Sequence, residues 1–332
     1  MASRASSRAR LPAAVILTGP TAAGKTAAAE WLHDHFPVRL ISVDSAQVYR
    51  GLDIGSAKPD AAQLARYPHA LIDLRWPEQT YSAADFVADA EAAMHDAAAA
   101  GKIPVLVGGT LLYLRALLYG LDPLPPADPD LRAALKQRAQ RQGWAALHAE
   151  LAQRDPATAA RIRPSDPQRI QRALEVLNLT GRGLAAHYSE SRQARFPSLR
   201  LVLTPADRAE LHRRIAVRLR SMLAAGLIEE VAELRRTRPG LCCEHPSMRA
   251  VGYRQVWAYL DGKFDRAALM VRAAAATRQL AKRQLTGLRK FVDTLWYDPN
   301  RSTTLAVIGG QVDGFIERTL TADRKAKDTV TQ

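Results

Sequence analysis

The chain has 332 residues, of which 47% are hydrophobic, and a formal net charge of +14. This length allows one large α/β domain or two smaller ones, and the apolar fraction is ample for a core. No apolar run approaches the roughly 18–20 residues that span a bilayer, and the basic start lacks the apolar stretch of a secretory signal. The only cysteines, Cys242 and Cys243, are adjacent, which excludes a disulfide framework and zinc-ligand spacing and fits a reducing cytoplasm.

The charge is unevenly distributed along the chain. Residues 11–125 carry 8 Lys and Arg against 12 Asp and Glu, whereas residues 161–300 carry 26 against 13. A basic excess confined to the second part of the chain favours a polyanionic partner, and nucleic acid is the obvious class. A basic surface that serves only solubility is the alternative interpretation.

The first third of the chain alternates short β-branched runs with helical patterns, which predicts βαβ units around a parallel sheet. Strands are predicted at 14–17, 40–43, 70–74 and 103–107, and helices at 25–35, at 83–100 behind the cap residue Ser82, and after Thr110. A Pro- and Asp-rich stretch then marks a boundary at 121–130. Beyond it we predict only helices as far as residue 195. A strand at 199–203, long helices across 205–225 and 264–290, and a strand near 295–297 follow.

The segment from Gly19 to Thr26, GPTAAGKT, fits the pattern G-x-x-x-x-G-K-[ST] between a predicted strand and a predicted helix. Its glycines let backbone N–H groups face a phosphate, and the helix N-terminus adds positive potential. Lys25 can reach terminal phosphates, and the Thr26 hydroxyl suits a phosphate-bound Mg²⁺. The motif predicts a phosphate cradle without identifying the phosphate compound, and ATP is the commoner ligand.

These elements predict an α/β fold: a P-loop-type parallel sheet with helices on both faces and an inserted all-helical domain. We expect the first part of the core at 11–122, the helical insertion at 123–197, and the second part of the core, with basic helices, at 198–320. Residues 1–10 and 321–332 are expected to be disordered.

Acidic residues near the predicted strand ends are few. A phosphoryl-transfer enzyme usually has an acid after a buried strand, but the strand ending at Val107 is followed by Gly-Gly-Thr. Asp73 is the only substitute, which weakens an ATPase interpretation without excluding it. Asp44 follows the second strand at the edge where α/β sheets bind ligands, and it is either a site residue or a turn cap. Thr110 is likewise either a helix cap or a hydroxyl directed at phosphates.

The long predicted helix that ends near residue 290 carries a basic stripe, formed by Arg278, Lys282 and Arg289. Helical geometry places these three cations within about 40° of one another, and Arg283 and Lys290 flank them. A solvated helix face is the alternative. The glutamines among the charges and the scarcity of acids favour contacts to phosphates instead.

Seven segments, in this order and spacing, resemble the bacterial tRNA dimethylallyltransferase family. They are GPTAAGKT (19–26), ISVDSAQVYRGLDIGSAKP (41–59), YSAADF (81–86), VGGTLLYLRALLYGL (107–121), DPQRIQRALEV (166–176), MRAVGYRQVW (248–257) and TRQLAKRQLTGLRK (277–290). The resemblance extends over roughly residues 12–298. It implies a P-loop-type core and a helical insertion that closes around a tRNA anticodon stem-loop.

The resemblance also implies a reaction and a set of site residues. The dimethylallyl group of dimethylallyl diphosphate would pass to N6 of the adenosine 3′-adjacent to the anticodon in a subset of tRNAs, with release of diphosphate. Asp44 would be the general base, Thr110 would bond to the diphosphate, and Arg214, chosen over Arg218, would stabilise the leaving group. Mg²⁺ would lie near Thr26. The implied diphosphate-binding residues are Gly19, Pro20, Thr21, Ala22, Ala23, Gly24, Lys25 and Thr26.

The implied tRNA contacts form four short runs with two single residues beside them. They are Asp44, Ser45, Ala46, Gln47, Thr110, Arg132, Gln168, Arg169, Ile170, Gln171, Arg172, Arg249, Ala250, Val251, Gly252, Tyr253, Arg254, Lys282, Arg283, Gln284, Leu285, Thr286, Gly287, Leu288 and Arg289. No membrane partner is implied, and we expect a cytoplasmic monomer.

The chain departs from the family pattern at Gly287, where the family's basic helix usually carries Trp. Glycine costs about 0.5–1 kcal/mol of helix stability relative to alanine and removes a stacking surface. With two cysteines in the sequence, we do not expect the zinc-finger extension of eukaryotic relatives. Two other classes of protein remain as alternatives: a P-loop small-molecule kinase, which needs no basic second half, and a non-catalytic RNA-binding protein, which needs neither the phosphate cradle nor Asp44.

Overall fold

The computed structural model describes residues 10–187 and 193–330, which divide into two compact units. The larger unit comprises the chain up to Leu118 and from Ala194 onward, and the smaller comprises Tyr119–Gln193. For comparison, the sequence predicts a helical insertion at 123–197. The predicted disorder of residues 1–9 and 331–332 lies outside the described residues.

The larger unit is built on six strands. They are β1 (Ala14–Thr18), β2 (Val38–Val43), β3 (His69–Ala70), β4 (Ile103–Gly108), β5 (Ser198–Leu203) and β6 (Thr294–Tyr297). The strands form one sheet in the order β3-β2-β4-β1-β5-β6, and every neighbouring pair is parallel. The predicted α/β class with a parallel sheet is confirmed.

The helices of the described residues fall into both units, with α5 to α8 in the smaller one. In chain order they are α1 (Lys25–His35), α2 (Ala61–Arg66), α3 (Ala83–Ala99), α4 (Leu111–Tyr119), α5 (Pro129–Gln142), α6 (Trp144–Arg154), α7 (Pro156–Ala159), α8 (Pro167–Thr180), α9 (Arg208–Ala224), α10 (Leu227–Thr237), α11 (Tyr253–Leu260), α12 (Arg266–Leu288) and α13 (Thr304–Val330). Among these helices, none has the length and apolar character needed to cross a membrane.

Helices cover both faces of the sheet because successive strand residues point to opposite sides. Val15 and Leu17 of β1 pack in a cluster with residues of α1 and α13, such as Leu32 and Val312. Ile16, on the opposite face of β1, is only 2% exposed. Both faces of the sheet are therefore buried at β1. This explains why its sequence is a continuous apolar run and not an alternation of apolar and polar residues.

The strand register aligns the carboxyl ends of the central strands. Thr18 of β1 pairs with Gly108 of β4 and Val202 of β5, and Gly108 also pairs with Val43 of β2. The segments that follow these strands therefore meet at one edge of the sheet. This edge brings together the phosphate-binding motif, Asp44 and Thr110.

The smaller unit is helical, as predicted, and three of its helices begin with the dipeptide Asp-Pro. The carboxylates of Asp128, Asp155 and Asp166 each accept a hydrogen bond from the backbone N–H three residues later. Proline fits the first helical position because its missing N–H would have no partner there. A core that includes Leu147, Leu151 and Leu174 packs these helices together.

Two predicted segments differ from the structure. The predicted strand at 70–74 is limited to His69–Ala70, because Leu71 and Asp73 have φ values of 67° and 57°, which turn the backbone out of an extended path. The predicted disordered tail from residue 321 is helical in the structure as far as Val330. The start of α13 is anchored by buried Ile308 and Val312, and a nucleated helix propagates readily through helix-forming residues such as Ala, Lys and Arg.

Candidate active site

The phosphate-binding motif forms a tight loop between β1 and α1. Lys25 Nζ donates hydrogen bonds to the carbonyl oxygens of Gly19 at 3.1 Å and Pro20 at 2.8 Å. Gly24 has a left-handed φ of 84° immediately before α1, which glycine adopts without strain. A Cβ atom on Gly19 would lie 2.1 Å from the carbonyl oxygen of Leu203, so only glycine allows this approach to β5. The loop lies between a strand and a helix as predicted, and its phosphate binding stays a prediction.

Lys25 shares its surroundings with one other cation and one anion. Burial lowers the pKa of Lys25 to about 8, and nearby Arg218 lowers it further, whereas Asp44 acts in the opposite direction. Burial also lowers the pKa of Arg218, again opposed by Asp44. The phosphate loop therefore lies in a site where positive charge is already concentrated, which favours an anionic ligand.

Asp44 lies at the end of β2 and caps the turn that follows. Its Oδ1 accepts hydrogen bonds from the backbone N–H groups of Ala46 at 2.8 Å and Gln47 at 3.3 Å. In the part of the chain that the structure describes, the other carboxylate oxygen has no hydrogen-bond partner. One oxygen therefore holds the carboxylate in place, and the other is available to a substrate.

Thr110 stabilises the same turn from β4. Its Oγ1 accepts a hydrogen bond from the backbone N–H of Ser45 at 3.1 Å, and its own N–H donates to the carbonyl oxygen of Val43 at 3.3 Å. The first turn of α4 is satisfied by the Thr110 carbonyl, which accepts from the N–H groups of Tyr113 and Leu114. The hydroxyl thus positions the Asp44 turn and does not cap α4.

Gln284 of α12 links the phosphate loop to the end of β4. Its Oε1 accepts a hydrogen bond from the backbone N–H of Thr21, and its Nε2 donates to the carbonyl oxygen of Gly109, each at 3.0 Å. A Cβ atom on Gly109 would lie 2.5 Å from Nε2, so the absence of a side chain there makes room for the amide. The sequence analysis lists Gln284 only as a tRNA contact and does not predict this link.

Arg214 and Arg218 of α9 both lie close to the phosphate loop. Arg214 approaches Gly24, but its guanidinium donates to Glu210 at 2.8 Å and to Asn300. Arg218 has no hydrogen bond or ion pair with any described residue and interacts electrostatically with Lys25 and Asp44. Arg214 is thus held through Nε and Nη2 while its Nη1 faces the loop, and Arg218 has no partner among the described residues, so both guanidiniums have donors available to an anion.

The residues at this edge fit a metal ion that is held mainly by phosphates. The exposed hydroxyl of Thr26 is one suitable oxygen. The described residues contain no group of three or more His, Cys, Asp or Glu side chains that could hold a metal ion. The carboxylate of Asp73, the alternative acid, forms an ion pair with Lys58, with 2.6 Å between Oδ1 and Nζ. A magnesium ion here would depend on the ligand's own oxygens, with Thr26 beside them.

The segment 52–58 is held from α10 and α11. The carboxylate of Glu230 accepts hydrogen bonds from the backbone N–H groups of Asp53, Ile54 and Gly55 at 2.6–3.2 Å, and from the Tyr253 hydroxyl at 2.6 Å. A Cβ atom on Gly55 would lie 2.5 Å from the Tyr253 ring. Glu230 thus organises this segment, a role that the sequence analysis missed because no local pattern marks it.

The predicted tRNA contacts are of two kinds in the structure. Lys282, Arg283 and Arg289 are exposed and form no ion pair with any described residue, so they are available to phosphates. Ile170, Tyr253 and Leu288 are at most 1% exposed. Their side chains pack inside the protein because they are large and mostly apolar, and the tRNA contacts of the runs that contain them stay predictions.

Two predicted tRNA-binding arginines of the smaller unit share a buried acid. Glu175 is fully buried and accepts hydrogen bonds from Arg132 at 2.7 and 3.0 Å, from Arg172, and from the backbone N–H of Asp128 at 2.9 Å. Burial alone would raise the pKa of Glu175, but these hydrogen bonds lower it below its ordinary value. Both guanidiniums are thus fixed in position.

Gly287 lies where α12 meets the start of α4. A Cβ atom at Gly287 would lie 2.3 Å from Cδ1 of Leu111. Leu111 occupies the space that a side chain at position 287 would need. A side chain at position 287 therefore fits only if Cδ1 of Leu111 moves.

The fold and this site define a P-loop-type α/β protein with an inserted helical unit. The sequence profile described as IPP transferase matches residues 47–291. A tRNA dimethylallyltransferase from Thiobacillus denitrificans is 58% identical over 289 residues, which cover 87% of this chain and 92% of its own. One from Stenotrophomonas maltophilia is 53% identical over 313 residues, or 92% and 98% of the two chains.

A solved structure agrees with these sequence relatives. The crystal structure of the tRNA isopentenylpyrophosphate transferase from Bacillus halodurans has a TM-score of 0.69 and 32% identity, and the match covers 94% of this chain and 99% of that one. The chain belongs to the IPP transferase family. The family resemblance drawn from the sequence is confirmed.

Proposed function

We propose that this protein is a tRNA dimethylallyltransferase. It transfers the dimethylallyl group from dimethylallyl diphosphate to N6 of the adenosine 3′-adjacent to the anticodon in a subset of tRNAs. The observation that carries this proposal is the meeting of the phosphate loop and the free oxygen of Asp44 at one sheet edge, beside the helix with the basic stripe. A diphosphate donor and a nucleic-acid acceptor require such an arrangement.

The acceptor nitrogen is a poor nucleophile because its lone pair is delocalised into the adenine ring. As the bond between N6 and the allylic carbon forms, the bond from that carbon to the diphosphate oxygen breaks. The proton leaves N6 for Asp44, since a positioned carboxylate accepts a proton efficiently at neutral pH. Diphosphate departs with the electron pair of the broken bond.

The chain's own cations stabilise the departing charge. In this proposal Lys25, the backbone N–H groups of the loop and Arg218 would surround the diphosphate, with Arg214 beside Gly24. Such preorganised groups lower the barrier because they need no rearrangement when charge develops. When bound near Thr26, Mg²⁺ would neutralise part of the diphosphate charge.

The acceptor base must leave its stack to reach Asp44. Unstacking a loop nucleotide costs only a few kcal/mol, which suits a position beside the anticodon. The exposed cations Lys282, Arg283 and Arg289 supply attraction for the surrounding phosphates. We propose a monomer in the cytoplasm, where the exposed thiols of Cys242 and Cys243 would stay reduced.

Product analysis tests the proposal. Unmodified tRNA is incubated with labelled dimethylallyl diphosphate or with ATP labelled on its γ-phosphate, and the digested nucleosides are separated. We expect prenyl label on adenosine and no phosphate transfer, and no label in a tRNA that lacks adenosine beside the anticodon. ATP turnover stimulated by a small acceptor, without prenyl adenosine, would instead establish the kinase alternative.

A further inference from the structure

A concavity separate from the candidate active site lies between the start of α9, the end of α12 and β6. Its volume is about 390 Å³, within the range of small-molecule pockets. The lining residues that matter here are Arg208, Leu211, Leu285, Arg289, Thr294 and Trp296. Neither the phosphate loop nor Asp44 contributes to its wall. The reaction proposed above leaves this concavity without a role.

Two exposed arginines stand on the wall of this concavity. Neither Arg208 nor Arg289 forms a side-chain hydrogen bond or an ion pair with another described residue. Arg208 is the first residue of α9, where the helix dipole disfavours a cation, so it does not serve to stabilise that helix. Its charge adds to the positive potential of the helix N-terminus, and together they favour a phosphate.

Trp296 supplies the apolar part of the wall from β6. Its indole is 40% exposed, and its Nε1 donates a hydrogen bond to Thr294 Oγ1 at 3.0 Å. The polar atom of the side chain is therefore satisfied inside the protein, and the exposed part is apolar ring. The wall of the concavity therefore combines an exposed aromatic residue with two exposed arginines.

We propose that this concavity binds one unpaired nucleotide of the tRNA, separate from the adenosine that reacts. The base stacks on Trp296, and the adjoining phosphates pair with Arg208 and Arg289. An aromatic platform beside unpaired arginines is the combination by which proteins hold single-stranded nucleic acid. The inference rests on the proposed function, because that function makes tRNA the substrate.

Continuity with the basic stripe identifies the occupant as part of the same RNA. Arg289 belongs both to the stripe on α12 and to the wall of the concavity. An RNA chain that contacts the stripe can therefore also contact the wall of the concavity through Arg289. The subsite extends the RNA-binding surface to β6 and the start of α9, which the sequence analysis does not include.

The stacking contact is tested by equilibrium binding of unmodified tRNA to two variants. Trp296→Ala should weaken binding about tenfold, in line with the usual contribution of one base–aromatic stack. Trp296→Phe keeps a ring and should stay within about threefold of wild type. Trp76→Ala is the matched control: Trp76 is 43% exposed, but its ring already contacts Arg50 and Arg238 and it does not line the concavity.

The phosphate contact is tested by reversing an exposed charge, Arg208→Glu. This variant should weaken tRNA binding and lower the slope of log Kd against log salt concentration by about one to two units. Each phosphate contact that is lost reduces this slope by somewhat less than one unit. Binding of dimethylallyl diphosphate in the absence of tRNA, and the thermal midpoint, should match the wild type. Those two measurements separate a lost RNA contact from a damaged fold.

Unchanged tRNA affinity in both Trp296→Ala and Arg208→Glu would overturn the subsite. A second outcome would also overturn it: both variants weaken the binding of adenosine monophosphate alone but leave the tRNA affinity unchanged. The concavity would then be a site for a free nucleotide. Failure of the proposed function is a different result, because wild-type protein would then form no prenyl adenosine. The subsite fails alone if wild-type protein prenylates tRNA and both variants bind it normally.

Discussion

The backbone N–H of Thr21, in the phosphate loop, donates its hydrogen bond to the side chain of Gln284 on α12. N–H groups of such loops are the donors that a bound diphosphate uses, so a side chain from the basic helix occupies or shares a ligand-binding donor. The same side chain holds Gly109 at the end of β4. Gln284 thus connects the helix with the basic stripe to the loop that we propose to hold the diphosphate.

Removing this link should uncouple the two substrates. We expect inorganic diphosphate to change the tRNA Kd of the wild type at least about fivefold, a common size for coupling between sites. In Gln284→Ala, diphosphate should change the tRNA Kd less than about twofold, because both hydrogen bonds of the Gln284 side chain are lost. Gln279→Ala, an exposed glutamine on the same helix, is the control and should keep the wild-type ratio. Equal coupling in Gln284→Ala and wild type would contradict the link.

Asp44 has two separable roles, which a pair of variants distinguishes. Asp44→Asn keeps an oxygen for the N–H groups of Ala46 and Gln47 but cannot take a proton, whereas Asp44→Ala loses both roles. Single-turnover rates should fall by roughly 10²–10⁴ in both variants. Only Asp44→Ala should also lose about 1 kcal/mol of unfolding free energy. A near wild-type rate for Asp44→Asn would leave Asp44 as a turn cap alone.

The lowered pKa of Lys25 predicts a pH dependence of diphosphate binding. With a pKa of about 8, Lys25 is charged below pH 8 in the free protein and loses its charge above it. An anionic ligand favours the charged form, so binding raises this pKa and takes up a proton above pH 8. Affinity should therefore fall by up to about tenfold per pH unit above 8.

Calorimetric titration with dimethylallyl diphosphate, without tRNA, measures this proton uptake directly. At each of pH 7 and pH 9, the binding enthalpy is measured in buffers of different ionisation enthalpy, which gives the number of protons taken up. We expect Lys25 to take up a proton at pH 9 but not at pH 7. Lys25→Met is the control, because it retains every other ionisation and lacks this one. The assignment fails if Lys25→Met shows the same uptake as wild type.

The basic stripe should contribute affinity without reading sequence. Lys282→Ala should weaken cognate and non-cognate tRNA equally and flatten the salt dependence of log Kd by about one unit or less, because one phosphate contact is lost. Lys102→Ala is a matched control: this exposed lysine precedes β4, at the opposite edge of the sheet. If the salt slope of Lys282→Ala equalled that of wild type, the stripe would be a solvated helix face.

Much of the site was predictable because its residues follow strands directly. A parallel sheet brings the carboxyl ends of its strands together, so the glycine-rich loop, Asp44 and Thr110 had to meet once their strands were recognised. Local capping was readable too: Ser82, at the start of α3, accepts a hydrogen bond from the N–H of Asp85 as its sequence suggests.

The remaining parts of the site depend on contacts between distant segments. Gln284 meets Thr21, and Glu230 meets Ile54, across separations that no local periodicity encodes. The choice between Arg214 and Arg218 likewise depends on partners, Glu210 and Asn300, that only the packed structure identifies. The strand predicted at 70–74 failed for a local reason, since an apolar run does not reveal the positive φ of Leu71.

Because Gly287 contacts Leu111, the side chain at one of these positions affects which side chains fit at the other. A side chain at 287 meets Cδ1 of Leu111, so a tryptophan at 287 requires Leu111 either to shift or to be replaced by a smaller residue. Gly287→Trp alone should cost about 1–3 kcal/mol of unfolding free energy through overpacking, and Leu111→Ala in the same chain should restore most of it. Denaturant unfolding measures both, and an equal loss in the single and double variants would contradict the pairing. Transplanting into this chain a basic helix that carries tryptophan at this position therefore calls for a change at the start of α4 as well.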